Sequence, residues 1–187
     1  MTRTVREMTF EECEIVIRYF LDSDEAFLRL MGIDPAKLPT FEAWREKLRP
    51  EFAAADPDKQ LFYVAWLLDG ELIGHSHINK IQYAEEAHMH LHVWKPDLRG
   101  HGHGTHFVRE SARLYFDRFG LKRLYCEPAA KNPAPNRTLA RAGFEFVKTI
   151  DYAASWVNYV QPMNQWRITP ERLKSGAGSP EGAGSPE

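Results

Sequence analysis

Arg99-Gly100-His101-Gly102-His103-Gly104 joins an alternating stretch, Ala87 to Trp94, to an amphipathic one, Thr105 to Phe119, and its reading decides the fold. A strand that turns through glycines into a helix gathers backbone N–H groups at one point, where the helix dipole adds to their field, so this connection suits an anion such as a phosphate. Gly102 and Gly104 carry no side chain to obstruct close approach, and Gly100 adds freedom for the turn. Taken alone, the loop is equally readable as a plain strand-to-helix connection. Two other phosphate motifs fail. No Gly-Lys-Ser/Thr follows the glycines, and the preceding strand does not open a βαβ unit with an acidic residue at the required distance.

Upstream of the loop the hydrophobic period changes several times. Val5 to Met8 reads as a first strand. Thr9-x-x-Glu12 has capping-box spacing before Phe10, Cys13, Ile17 and Phe20 recur at helical intervals. Two more helices follow, Asp24 to Met31, stopped by Gly32 and Pro35, and Phe41 to Ala54, capped by Thr40, with Pro50 expected to kink or shorten it. Leu61–Leu68 and Glu71–Gln82 around Asp69-Gly70 form a strong hairpin signal. Downstream, Leu121–Glu127 reads as a strand, Pro135–Ala142 as a short helix, and Phe144–Ile150 with Trp156–Trp166 as a closing strand pair.

The chain has 187 residues, enough for one well-buried core, and residues 1–174 read as a single domain. Residues 175–187 repeat Gly-Ala-Gly-Ser-Pro-Glu and have nothing to bury, which is the composition of a disordered linker or tag-like tail. With 24 Lys+Arg against 26 Asp+Glu there is no uniform basic field for a nucleic acid, and no apolar run is long enough to span a membrane. Cys13 and Cys126 match no metal or redox spacing and no leader opens the chain, so a reduced cytoplasmic setting is expected, as monomer or homodimer.

A second cluster sharpens the first. Asn132, Asn136-Arg137 and Ala142-Gly143-Phe144 follow the strand after the loop, and together with Arg99-x-x-Gly102-x-Gly104 they resemble the GCN5-related N-acetyltransferase (GNAT) superfamily, in the form most similar to its ribosomal-protein alanine acetyltransferase branch. The resemblance implies an α/β (α+β) fold with a central mixed, mostly antiparallel twisted sheet flanked by helices. It also implies acetyl-coenzyme A (acetyl-CoA) as co-substrate and an amine-bearing acceptor. By the same resemblance Arg99, Gly100, His101, Gly102, His103, Gly104 and Thr105 hold the pyrophosphate, Val93 and Trp94 pair with the pantetheine arm, and Asn132 and Asn136 lie near the cofactor. Arg137 or Lys131 would meet the 3′-phosphate, although Arg137 and Arg141 also suit a solvated helix face. Many members place a proton-donating tyrosine where this chain has Leu139.

All eight histidines fall between His75 and His106. His88, His90 and His92 alternate along one strand and share a face, as do His75 and His77 on an expected neighbour. Three uses compete: packed or surface rings, a metal site of the His-x-His type, and proton transfer. No acidic or cysteine partner stands at ligand spacing, so no metal ligand is assigned. An amine nucleophile must lose a proton before it attacks a thioester, and histidine is suited to accept it. The resemblance places bases on the strand before the loop, which makes His90 and His92 the candidates, followed by Glu127, with His88 expected to matter much less. His101, His103 and His106 are expected to offer amides or exposed rings.

The function expected is therefore transfer of an acetyl group from acetyl-CoA directly to a primary amine on a protein N-terminus or small molecule. The alternatives are a noncatalytic acyl-CoA-binding sensor and a metal-dependent enzyme using the histidine strand.

Overall fold

The computed structural model describes residues 1–153 and 155–176. The strands β1 (Arg3–Glu7), β2 (Leu61–Leu68), β3 (Glu71–Gln82), β4 (Glu86–Val93), β5 (Arg123–Cys126), β6 (Glu145–Tyr152) and β7 (Gln161–Ile168) form one sheet in the order β1-β2-β3-β4-β5-β7-β6. Every neighbouring pair is antiparallel except β4 with β5, which is parallel and joined by the helix α4 (His103–Phe119). The other helices are α1 (Cys13–Leu21), α2 (Glu25–Leu30), α3 (Phe41–Ala53), α5 (Pro133–Ala142) and α6 (Pro170–Ser175). The expected mixed α/β architecture is thus observed.

Local chemistry accounts for most boundaries. Thr9 and Glu12 close their capping box reciprocally, Thr9 N donating to Glu12 Oε2 at 2.9 Å and Glu12 N to Thr9 Oγ1 at 3.3 Å. Asp69 and Gly70 both take positive φ, 49° and 83°, as a two-residue hairpin turn demands. Pro50 lies inside α3, which nevertheless continues to Ala53.

The sheet buries both faces. On one, Trp66, Tyr115, Phe107, Phe119, Leu139 and Phe144 pack it against α4 and α5. Two buried polar pairs lie there: Trp66 Nε1 donates to Ser111 Oγ at 2.9 Å, and the Ser76 and Tyr115 hydroxyls bond at 2.6 Å. On the other face Ile17, Phe20, Leu28, Trp44 and Tyr63 join α1, α2 and α3 to the sheet.

The C-terminal part departs from the sequence reading at two points. The last strand begins at Gln161, not Trp156, because the preceding backbone is claimed by the segment after α2: Asp34 N donates to Val157 O at 2.8 Å and Tyr159 N to Gly32 O at 3.0 Å. The closing strands pair as expected, with β7 lying between β5 and β6. A sixth helix, α6, escaped the sequence reading although Thr169 caps it and Pro170 stands at its first turn. It runs to Ser175, the first residue assigned to the tail, while residues 177–187 of that tail lie outside the described part.

Candidate active site

The parallel ladder between β4 and β5 ends at Met89↔Cys126. Beyond it β4 continues through His90 to Val93 with β3 alone as ladder partner, while the chain after Cys126 turns to an isolated bridge, Ala129↔Met163. The two strands therefore part at a vertex flanked by His90 and Glu127, and β4 presents an unladdered edge on that side. Such an edge offers backbone donors and acceptors to an extended ligand.

The edge leads to the glycine loop. Gly100 and Gly102 adopt left-handed φ of 83° and 79°, and Gly102 is the N-cap of α4 without any side-chain cap. Among the described residues no backbone amide from Gly100 to Thr105 finds an acceptor. A helix whose first N–H groups are unclaimed, preceded by two left-handed glycines, has the geometry to receive an anion. A Cβ built on Gly100 or Gly102 would meet no protein atom within 4 Å, so the space in front of these amides is open. α4 starts earlier than the sequence suggested, which brings His103 and Gly104 into its first turn. The His103 ring is buried, 8% exposed, so of the amide or exposed ring expected of it only the amide is left. His101 is exposed, as is Arg137 on α5.

Arg99 and Trp94 build the wall beside the loop. The Arg99 guanidinium donates twice to Val93 O, from Nε at 3.1 Å and Nη2 at 2.9 Å, and lies over the Phe27 ring at 4.9 Å. Trp94 commits its backbone N–H to Ile73 O and its Nε1–H to His75 Nδ1, both at 2.9 Å. Tyr19, Ser23, Asp24, Phe27, Trp94, Pro96 and Arg99 line a cleft of about 280 Å³ between α1–α2 and the β4–α4 connection. On the far side, Asn136 is fully spent: its Nδ2 donates to Ala129 O at 3.1 Å and Asn132 O at 2.7 Å. Its Oδ1 accepts from Asn164 Nδ2 at 2.9 Å and Trp166 Nε1 at 2.8 Å. Asn136 thus fixes the turn that carries Asn132, whose own side chain makes no cap.

The histidines meet as the alternation requires. His75 pairs with His92 and His77 with His90 across β3 and β4. The rings stack, with centroids 4.9 Å apart for His75–His92 and 4.5 Å for His77–His90, and the planes are nearly parallel. Phe20, Tyr19 and Tyr63 enclose them. Burial and the neighbouring imidazoles drive His75 and His77 well below the usual range, His90 to about 4 and His92 to about 3. Rings stacked face to face do not converge on one point, and among the described residues no group of three or more His, Cys, Asp or Glu is placed to hold an ion. Cys126 is 3% exposed and burial pushes its thiol upward, which disfavours the thiolate a nucleophile needs. Leu139 is wholly buried and contributes packing at the position where a tyrosine would have donated a proton.

One contact was not anticipated. His88 Nδ1 lies 3.0 Å from Glu127 Oε2, and Gln165 Nε2 donates to Glu127 Oε1 at 2.7 Å. Burial alone would raise the Glu127 carboxyl, but the His88 and Gln165 hydrogen bonds and the charges of His88 and Lys80 outweigh it and lower it.

The acetyltransferase (GNAT) family profile matches residues 24–144, which contain the vertex, the glycine loop and the Asn-x-x-x-Asn-Arg segment. The chain belongs to the GNAT family. This GNAT protein is an acetyl-CoA-dependent N-acetyltransferase, as its motifs implied. Its fold is similar to aminoglycoside acetyltransferase AAC(6')-Ib solved with coenzyme A and kanamycin, with a TM-score of 0.71 at 17% identity over 93% of this chain and 98% of the other. It is similar to spermidine N-acetyltransferase from Vibrio cholerae with coenzyme A and spermine, at 0.74 and 15% over 92% and 98%. A ribosomal alpha-N-protein acetyltransferase with coenzyme A gives 0.72 and 14% over 90% and 94%. No curated protein sequence matches this GNAT chain. Among the described residues no helix is long and apolar enough to cross a membrane.

Proposed function

We propose that acetyl-CoA lies along the free edge of β4, its pyrophosphate on the amides of residues 100–105, and gives its acetyl group directly to a primary amine entering from the α1–α3 side. The observation that carries this reading is the junction of two features: a strand edge without a ladder partner runs straight into a row of unclaimed amides. Pantetheine amides need backbone partners and a pyrophosphate needs donors, and the two lie in the order in which the cofactor would present them. The coenzyme A found in the three structural neighbours supports the same reading.

Val93 and Trp94, expected to pair with the pantetheine arm, end that edge with the Trp94 N–H spent on Ile73 O and Val93 O spent on Arg99, so the pairing is proposed for the edge before these two groups, and Gly100, His101, Gly102, His103, Gly104 and Thr105 supply the amides. Asn132 borders the slot, Asn136 holds Asn132 in place, and the exposed Arg137 is suited to the 3′-phosphate. His90, His92 and Glu127 surround the vertex where the thioester would sit, and one group near it must accept the amine proton. Cys13 and Cys126 are free and buried, which fits a reduced cytoplasmic setting; a monomer or homodimer that uses no nucleic acid is part of the same proposal.

Calorimetry with acetyl-CoA, followed by coenzyme A release with spermidine, kanamycin, tryptamine and a peptide beginning with alanine, tests the reading. Binding together with turnover of at least one amine is expected. A protein that binds acetyl-CoA and acetylates none of them is a sensor, and one that does not bind it lacks the proposed site.

The repeat beyond Gly176 has no side chain larger than proline or glutamate to bury, and residues 1–176 are proposed as the whole folded unit. Ending the chain after Gly176 should leave the thermal midpoint and kcat unchanged; a fall of several degrees would show that the repeat packs on the domain.

A further inference from the structure

We propose that His88, backed by Glu127, is the group that takes the proton from the acceptor amine. Both Glu127 oxygens are engaged, one by His88 and one by Gln165, and its side chain is 4% exposed against 18% for His88. The carboxylate therefore lies behind the imidazole. As an anion it accepts from His88 Nδ1–H, which leaves the lone pair on Nε2. Nε2 makes no hydrogen bond among the described residues and is not among the enclosed, unpartnered ring nitrogens, whereas Nε2 of His75 and His90 and Nδ1 of His77 are.

The surroundings agree. Lys80 from β3 and His90 from β4 bear on the pair electrostatically, the Tyr125 ring from β5 is 5.4 Å from His88, and Gln165 reaches in from β7. His90 and His92, packed in the stack, hold protons poorly. His88 lies one residue before the last ladder pair, Met89↔Cys126, and Glu127 one residue after it, so the pair spans the base of the vertex on the face where α1–α3 pack.

The step rests on the acetyl-transfer reading and balances. His88 Nε2 takes one N–H proton from the ammonium. The freed electron pair forms the N–C bond to the thioester carbonyl carbon, the C–S bond breaks with its pair on sulfur, and the second N–H proton passes to that sulfur. His88 then releases its proton to solvent, so one proton is liberated per turnover.

Two measurements decide it. ¹⁵N NMR of histidine-labelled protein at pH 8 should show His88 as the Nδ1–H tautomer; the Nε2–H tautomer overturns the proposal, with or without a known acceptor. With the panel amine that turns over fastest, His88→Gln should lower kcat by about 10²–10³ and remove the acidic limb of the pH–rate profile, with acetyl-CoA affinity retained. Glu127→Gln should lower kcat less and displace that limb. If His88→Gln keeps both kcat and the limb, the base lies elsewhere. Retained acetyl-CoA binding and parental turnover separate that failure from failure of the acetyl-transfer reading itself.

Discussion

Gly102→Val is expected to weaken acetyl-CoA binding at least about 100-fold, because the close approach of a phosphate to backbone amides leaves no space for a β-branched side chain. Two effects add. The φ of 79° at Gly102 lies in the left-handed region, where a β-branched residue is strained, so the amide row would lose its alignment. The new Cβ would also stand in the open space before those amides. Since it meets no protein atom within 4 Å, the domain should still fold, with stability reduced only by the backbone strain of about 1–2 kcal/mol. Calorimetry for affinity and thermal unfolding for the fold separate the two. Unchanged affinity in a folded Gly102→Val variant would remove the pyrophosphate site. Gly104→Ala is the milder companion: its Cβ would touch Thr138 at 3.5 Å, an ordinary contact.

Acid should unfold this protein well above the pH at which ordinary carboxylates titrate. The imidazoles of His75, His77, His90 and His92 have their folded-state pKa lowered, to about 4 for His90 and about 3 for His92. Unfolded, each would titrate near 6.5. Above that value both states are neutral and the full stability is present. Below it the unfolded chain binds protons that the stacked rings refuse, so stability falls as pH drops from about 6.5 towards 4 and 3. Each such ring contributes up to about 1.4 kcal/mol per pH unit. His77, His90 and His92 retain partial accessibility, which keeps the summed slope below the four-ring limit. Glu127, lowered by its partners, adds its own loss in the carboxylate range. Urea unfolding at pH 7.5, 6 and 5 measures the slope. A midpoint that does not move over this range would mean that the rings take up protons in place.

Sequence reading succeeded where the determinants are local. Asp69-Gly70 specifies its turn by backbone preference, and the hairpin limits Leu61–Leu68 and Glu71–Gln82 agree residue for residue. The glycine loop was legible for the same reason, since its conformation is written in three glycines. The errors came from distant claims on the backbone. Trp156 to Val160 is rich in strand-forming residues, yet Gly32 and Asp34 bind it across more than a hundred residues of sequence. The His88–Glu127 pair was missed because the partners are 39 residues apart and meet only through the parallel register of β4 and β5, which no periodicity reveals. His88 looked like the least useful of three equivalent histidines until β5 supplied the difference.

The position of β7 within the sheet also sets an order of events during synthesis. Gln165, which holds Glu127, and Asn164 and Trp166, which hold Asn136, all lie on the strand that follows β6 in the chain. A nascent chain leaves the ribosome from its N-terminus, so residues 1–152 emerge with both acceptors lacking these partners. The turn beside the vertex and the carboxylate at its base can be locked only when the last strand slides between β5 and β6. On the proposed reading the centre thus matures after most of the polypeptide has been made, and the glycine loop can form before the partners of Glu127 and Asn136 are in place.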